Sequence, residues 1–142
     1  MDETAYRQAL TTSIPRHCPF ERSVLTHCAE CSRAEKHNIA EREAVSCNSV
    51  EAQKGCIALH DSLRLNFKFA LGKSHIDGPL PHAQEMRIQC GGLRGLQFIL
   101  NGEEQVQDID LLFVEAQQKF GELADFPYAQ IVRWATSHYK SR

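Results

Sequence analysis

The chain has 142 residues, a formal net charge of −2 and six cysteines, with a sequence pI near 6.4. That length can bury a sizeable core as one domain, and the near-neutral charge gives no electrostatic case for nucleic acid as partner. No apolar stretch approaches the roughly 20 residues a membrane helix needs.

Helical periodicity dominates, and clear strand alternation is hard to find. Residues 4–12 are expected to form a first helix, ended by Pro15. The segment from Phe20 to about Glu43 is charged, Ala-rich and free of Gly and Pro, which predicts one or two helices. Its mixed run Arg33, Glu35, Lys36, Glu41, Arg42 and Glu43 reads as a solvated helix face. The best-defined helix follows Cys47, with Asn48 as N-cap and Glu51 three residues on, a capping-box pattern. Cys56, Leu59, Leu63, Phe67 and Ala70 then make one inward stripe, and Gly72 is its stop.

Asp77-Gly78-Pro79 gives turn chemistry, and Pro81 opens a helix that runs to Cys90 and is expected to halt at Gly91-Gly92. Leu93 to Leu100 forms another short helix, closed by Asn101-Gly102. Ile109, Leu112, Phe113, Ala116 and Phe120 mark an amphipathic helix ending at Gly121. Pro127 opens the last helix, anchored by Trp134 with its N–H near the surface. Gly91-Gly92-Leu93-Arg94-Gly95 lacks the Gly-Lys-Ser/Thr ending of a phosphate loop and reads as a helix–helix turn.

The cysteines carry the chemistry. Cys18, Cys28, Cys31, Cys47 and Cys56 fall within 39 residues, spaced C-x9-C-x2-C-x15-C-x8-C, and only Cys90 lies outside. Thiolates close in sequence converge on a soft metal at low entropic cost. Cys28 and Cys31 can chelate directly as C-x2-C. Cys47 precedes a helix N-terminus, where a thiolate is favoured. Cys56 lies roughly 13 Å further along that helix at 1.5 Å per residue, awkward for a single ion and easier for a cluster several Å across, or if the backbone bends back before Glu51. Cys18 precedes Pro19, as in one ferredoxin ligand run.

Zinc takes up to four thiolates, and a zinc ribbon needs its last two cysteines at x2, not x8. His17, His27, His37 or His60 could add a nitrogen. Four of the five cysteines complete a [4Fe–4S] shell, favoured here over [2Fe–2S], with the fifth a spare thiol or core residue. Cys56 also suits the core, and Cys90 reads as packing at a helix end. Basic neighbours Arg16 and His17 could activate Cys18 as a nucleophile, but catalysis by one or two thiols leaves the other cysteines unexplained.

The expected molecule is a mainly α, single-domain helical bundle with a cysteine-rich metal-binding half (16–72) and a helical half (80–142). It would bind an iron–sulfur cluster through four of Cys18, Cys28, Cys31, Cys47 and Cys56, and act in electron transfer or redox or oxygen sensing with a protein partner. The alternatives are a zinc-stapled interaction module and a thiol-based redox enzyme using Cys18 or Cys47. No signal-type apolar run follows the acidic start Met1-Asp2-Glu3. A cytoplasmic setting is therefore expected, where thiols stay reduced and structural disulfides are rare.

Overall fold

The computed structural model describes residues 3–5, 7, 8 and 14–139. Residues 3–5, 7 and 8 are helical, and the rest of the expected first helix, residues 4–12, lies outside the described residues, as do Lys140 and Arg142. From Ile14 onward the chain is mainly helical, with one two-stranded antiparallel hairpin.

The hairpin replaces the helices expected between Phe20 and Glu43. Only a short helix, α1 (Glu21–Leu25), forms there, followed by β1 (Ala34–Ile39) and β2 (Arg42–Cys47). Two features hid it. β1 is exposed along its central four residues, so no alternation of apolar and polar side chains marks it. The reversal uses Ala40 and Glu41, both at positive φ (51° and 70°), instead of the Asn-Gly pair that announces such turns. The charged run is solvated as expected, but mostly on strands and their turn, with Arg33 paired to Asp110 at 3.3 Å. β2 inserts its last four residues, Ala44 to Cys47, into the interior.

The long helix α2 (Val50–Phe67) is capped by Ser49, whose side chain accepts from the Ala52 N–H at 3.1 Å; Asn48 is not the cap. Cys56, Leu59, Leu63 and Phe67 form the buried stripe, while Ala70 lies beyond the helix and is exposed. Pro81 precedes α3 (His82–Met86), which continues through a π-turn at Arg87–Gly91 into α4 (Gly92–Asn101).

Gly91-Gly92 therefore does not end a helix. These glycines permit close packing: a Cβ on Gly91 would sit 3.0 Å from the Ala135 Cβ, one on Gly92 2.9 Å from Leu63 Cδ1, and one on Gly95 3.0 Å from the Ile131 carbonyl oxygen. Gly102, at φ 83°, ends α4 where the sequence placed its close. Asp108 caps α5 (Ile109–Phe120), and Pro127 precedes α6 (Tyr128–His138). Trp134 is buried against His138 and Phe98, and its Nε1 is itself buried without a partner, not at the surface. One continuous set of buried side chains runs from Cys18 to Ala135.

Candidate functional site

Four short segments bring four cysteines to one place. Cys18 precedes α1, Cys31 lies in the loop before β1, Cys47 ends β2 and Cys56 faces inward from α2. All four are free thiols, and all four line one small apolar-walled cavity together with Phe20, Ala34 and Ile109.

Local hydrogen bonding explains the convergence. The Cys18 N–H donates to the Val45 carbonyl at 2.9 Å, and the Cys47 N–H to the Arg16 carbonyl at 2.7 Å. Arg16 Nε donates back to the Cys47 carbonyl at 2.8 Å. The 16–18 segment is thereby laid beside β2. Gln53 Nε2 on α2 donates to the His17 carbonyl at 3.0 Å, drawing the helix against the same segment. The Cys31 loop is held from the far side: the Glu30 N–H donates to Val106, the Ile109 N–H to Glu30, and the Ser32 N–H to Asp108 Oδ1. Between Cys47 and α2 the chain is extended at Ser49. The bend before Glu51 falls at Asn48, and Cys47 and Cys56 line the same cavity.

Burial pushes the Cys18 thiol up to about 12, opposed by the Phe20 N–H and reinforced by the charges of Cys31 and Cys47. Burial also raises Cys56, which in addition feels Cys18, Cys31 and Cys47. Cys31 is raised by burial too, with the N–H groups of Arg33 and Asp110 pulling the other way and the carboxylates of Asp108 and Asp110 adding to the rise. Burial is the main cause at all three, and the sulfurs of Cys18 and Cys56 also lie within electrostatic reach of the other cavity cysteines. The Cys47 thiol donates to the Ser49 carbonyl at 3.3 Å.

Cys28, expected among the ligands, is elsewhere. It forms a disulfide with Cys90 across 62 residues, with Cα atoms 6.0 Å apart. Cys90, read as packing, is fully buried in that bond. Nothing in the spacing reveals the pair, because the fold alone presses the Cys28 loop against the π-turn.

The four candidate histidines all point to other partners. His17 Nε2 lies 3.0 Å from Glu21, His27 Nδ1 3.0 Å from Glu30, His37 Nε2 2.8 Å from Ser46 Oγ and His60 Nε2 2.6 Å from Glu85. Among the described residues, no three His, Cys, Asp or Glu side chains gather tightly enough to hold a single metal ion. Sequence reasoning missed the Arg33–Asp110 ion pair on the cavity wall and the backbone amides whose dipoles favour the Cys18 and Cys31 thiolates. These depend on which loops meet, and no local pattern encodes that.

Comparison with protein-family models finds no matching family, and comparisons with curated proteins and with solved structures find no match either. The class that fold and site define is a mainly helical, cysteine-rich protein with one disulfide and a four-thiol cavity. Among the described residues no helix is long and apolar enough to cross a membrane.

Proposed function

We propose that this is an iron–sulfur protein of the cytoplasm in which Cys18, Cys31, Cys47 and Cys56 hold a cluster, [4Fe–4S] in preference to [2Fe–2S]. It serves electron transfer or redox or oxygen sensing toward a protein partner. One observation carries the reading: the four free thiols, from four separate segments, wall a single apolar cavity.

The donor set is the right one for a cluster, since four thiolates complete its protein shell. A single zinc ion needs its ligands within about 2.3 Å of one point; no such gathering exists among the described residues, so zinc and a cluster alike would require these side chains to move. A cluster spreads its sulfur ligands over several Å. The cavity measures about 10 Å³, room for about one water. A cluster would therefore require the cysteine side chains to move. The thiol-enzyme alternative requires an accessible, acidified thiol, and Cys18 is buried with its thiol pushed up.

Bound there, a cluster supplies one-electron exchange. The chain's own groups set the terms of that exchange. The N–H groups of Phe20, Arg33 and Asp110 stabilise thiolate charge on Cys18 and Cys31. The Asp108 and Asp110 carboxylates oppose added negative charge, and Arg33 offsets Asp110. Phe20 and Ile109 keep water out. Cys31, the least buried of the four, marks the side where a partner would exchange electrons or read the centre.

Anaerobic loading with iron and sulfide tests the reading. The expected product is brown, with broad absorption at roughly 400 nm, and it holds iron and acid-labile sulfide. Colourless protein that carries stoichiometric zinc supports a zinc-stapled module instead. Colourless, metal-free protein with one unusually fast thiol supports a thiol enzyme.

A further inference from the structure

We propose that the four-thiol cavity is an oxidation site for hydrogen peroxide and other small hydroperoxides. Cys31 reacts first, and one of the three buried cysteines then closes onto it as a disulfide. The proposal is independent of the iron–sulfur reading, because it concerns the metal-free chain and needs no cofactor in the cavity. The placement of the sulfurs carries it. Cys18, Cys31, Cys47 and Cys56 are all unpaired and all wall one space. That space measures about 10 Å³, room for about one water. A single oxygen atom carried on sulfur is a guest of that size.

Backbone pairing sets the cysteines beside one another. His17 bridges Ser46 in antiparallel fashion, which puts Cys18 opposite Val45 and leaves Cys47 two residues further along the same face. Diagonal neighbours of this kind stand about 7–8 Å apart. Cys47 is also the register partner of Ala34, whose N–H donates to the Cys31 carbonyl at 3.2 Å. Cys31 therefore sits one turn from the residue that faces Cys47. Cys56 is drawn to the same place by Gln53, which donates to the His17 carbonyl at 3.0 Å. A disulfide needs its Cα atoms within about 7 Å, and the Cys31 loop takes up any remaining gap.

Exposure decides the order of events. Cys18, Cys47 and Cys56 are 8%, 7% and 8% exposed, whereas Cys31 is only half-buried. Cys31 is the sulfur that an oxidant arriving from water meets first. The N–H groups of Arg33 and Asp110 favour its thiolate, the form that attacks peroxide. Burial and the Asp108 and Asp110 carboxylates act the other way and leave the thiol raised. Reaction is therefore slower than at an exposed cysteine, and the site answers sustained peroxide.

The chemistry has two steps. The Cys31 thiolate attacks one peroxide oxygen, an S–O bond forms and the O–O bond breaks. Cys31 becomes a sulfenic acid, and the other oxygen leaves as water or, from an alkyl hydroperoxide, as an alcohol. A buried thiol then attacks the Cys31 sulfur. The S–S bond forms, the S–O bond breaks, and the hydroxyl leaves with the thiol proton as water. In sum two thiols give up two electrons and two protons to the peroxide. Three thiols behind Cys31 trap the sulfenic acid before it is oxidised further.

The test treats the full, metal-free chain, its Cys28–Cys90 bond intact, with hydrogen peroxide and no added thiol. The protein is then alkylated in denaturant and digested without reduction, and the peptides are weighed. Two of the four free thiols should be lost. One new disulfide should join the Cys31 peptide to that of Cys18, Cys47 or Cys56, with the Cys28–Cys90 peptide unchanged. Cys31→Ser should lose its remaining thiols about tenfold more slowly, and Cys31→Ala repeats that reading should serine disturb the fold. The proposal is overturned by four thiols that stay free throughout, or by a new disulfide that leaves Cys31 out. Cys31 carried to sulfinic acid with no new disulfide overturns it as well, as does a Cys31→Ser chain oxidised as fast as wild type.

Discussion

The segment from residue 14 to 67 and the helical segment from 82 to 138 are held together by different means. In the first, strands, a short helix and loops are tied by hydrogen bonds between backbones and a few side chains, such as Arg16, Glu21 and Gln53, around four free thiols. In the second, helices approach so closely at Gly91, Gly92 and Gly95 that one added methyl group meets a neighbour. Sulfur chemistry decides the behaviour of the first region, and close packing decides that of the second.

Serine substitutions at the cysteines are the strongest way to break this comparison. Cys18→Ser, Cys31→Ser, Cys47→Ser and Cys56→Ser should each abolish or nearly abolish iron retention, measured as iron per chain after desalting. Cys28→Ser and Cys90→Ser should keep it. Equal retention across all six variants would erase the distinction between cavity thiols and disulfide sulfurs.

The two regions are joined covalently by Cys28–Cys90, which closes a span of 62 residues. Closing a loop of that size contributes about 4 kcal/mol in the chain-entropy picture. The Cys28→Ser/Cys90→Ser double variant should unfold in urea with a stability lower by that order. A loss under about 1 kcal/mol would mean that the contact is maintained by packing alone.

In the packed region, Gly95→Ala sets a Cβ against the backbone oxygen of Ile131, which cannot swing aside. Overpacking of this kind costs about 1–3 kcal/mol, against the roughly 1 kcal/mol that Ala gains over Gly in a helix. A modest net destabilisation is expected, read from the urea midpoint. Gly92→Ala, which meets the movable end of Leu63, should cost less.

Two pH effects separate the regions further. Cys18 binds its proton more tightly folded than unfolded, its thiol moving from 9.0 to about 12. The metal-free protein should therefore hold this contribution below pH 9 and lose it as pH rises from 9 toward 12. Cluster-loaded protein, with its thiols already deprotonated, should lack this alkaline loss. At the junction of the regions, burial raises the Glu85 carboxyl, but hydrogen bonds from His60 and Gln89 and the charges of His60 and Arg64 outweigh it, so the net shift is downward. That stabilisation is present above the ordinary carboxylate value of 4.5 and should fade as pH falls below it. Glu85→Gln should flatten that acid limb.

Much of the helical structure was legible because its signals are local. The stripe from Cys56 to Phe67, the Asn101-Gly102 close and the spacing from Ile109 to Ala116 lie where periodicity put them. Gly91-Gly92 misled because a glycine that ends a helix and one that admits a neighbouring helix look alike in sequence. The hairpin was illegible for a related reason: β1 is largely exposed, so it has no buried face to imprint a pattern. At the candidate site, crowding identified the cysteines but could not sort them. Whether Cys28 or Cys31 reaches the cavity depends on Val106 and Ile109 gripping Glu30, and on Cys90 arriving from 62 residues away.

Iron K-edge X-ray absorption on the loaded chain tests the central claim most directly, because it reads the atoms around the metal. A first shell of sulfur alone together with an iron–iron shell is the result expected when Cys18, Cys31, Cys47 and Cys56 enclose a cluster. A first shell dominated by oxygen or nitrogen, or sulfur ligands with no iron–iron shell, would contradict it.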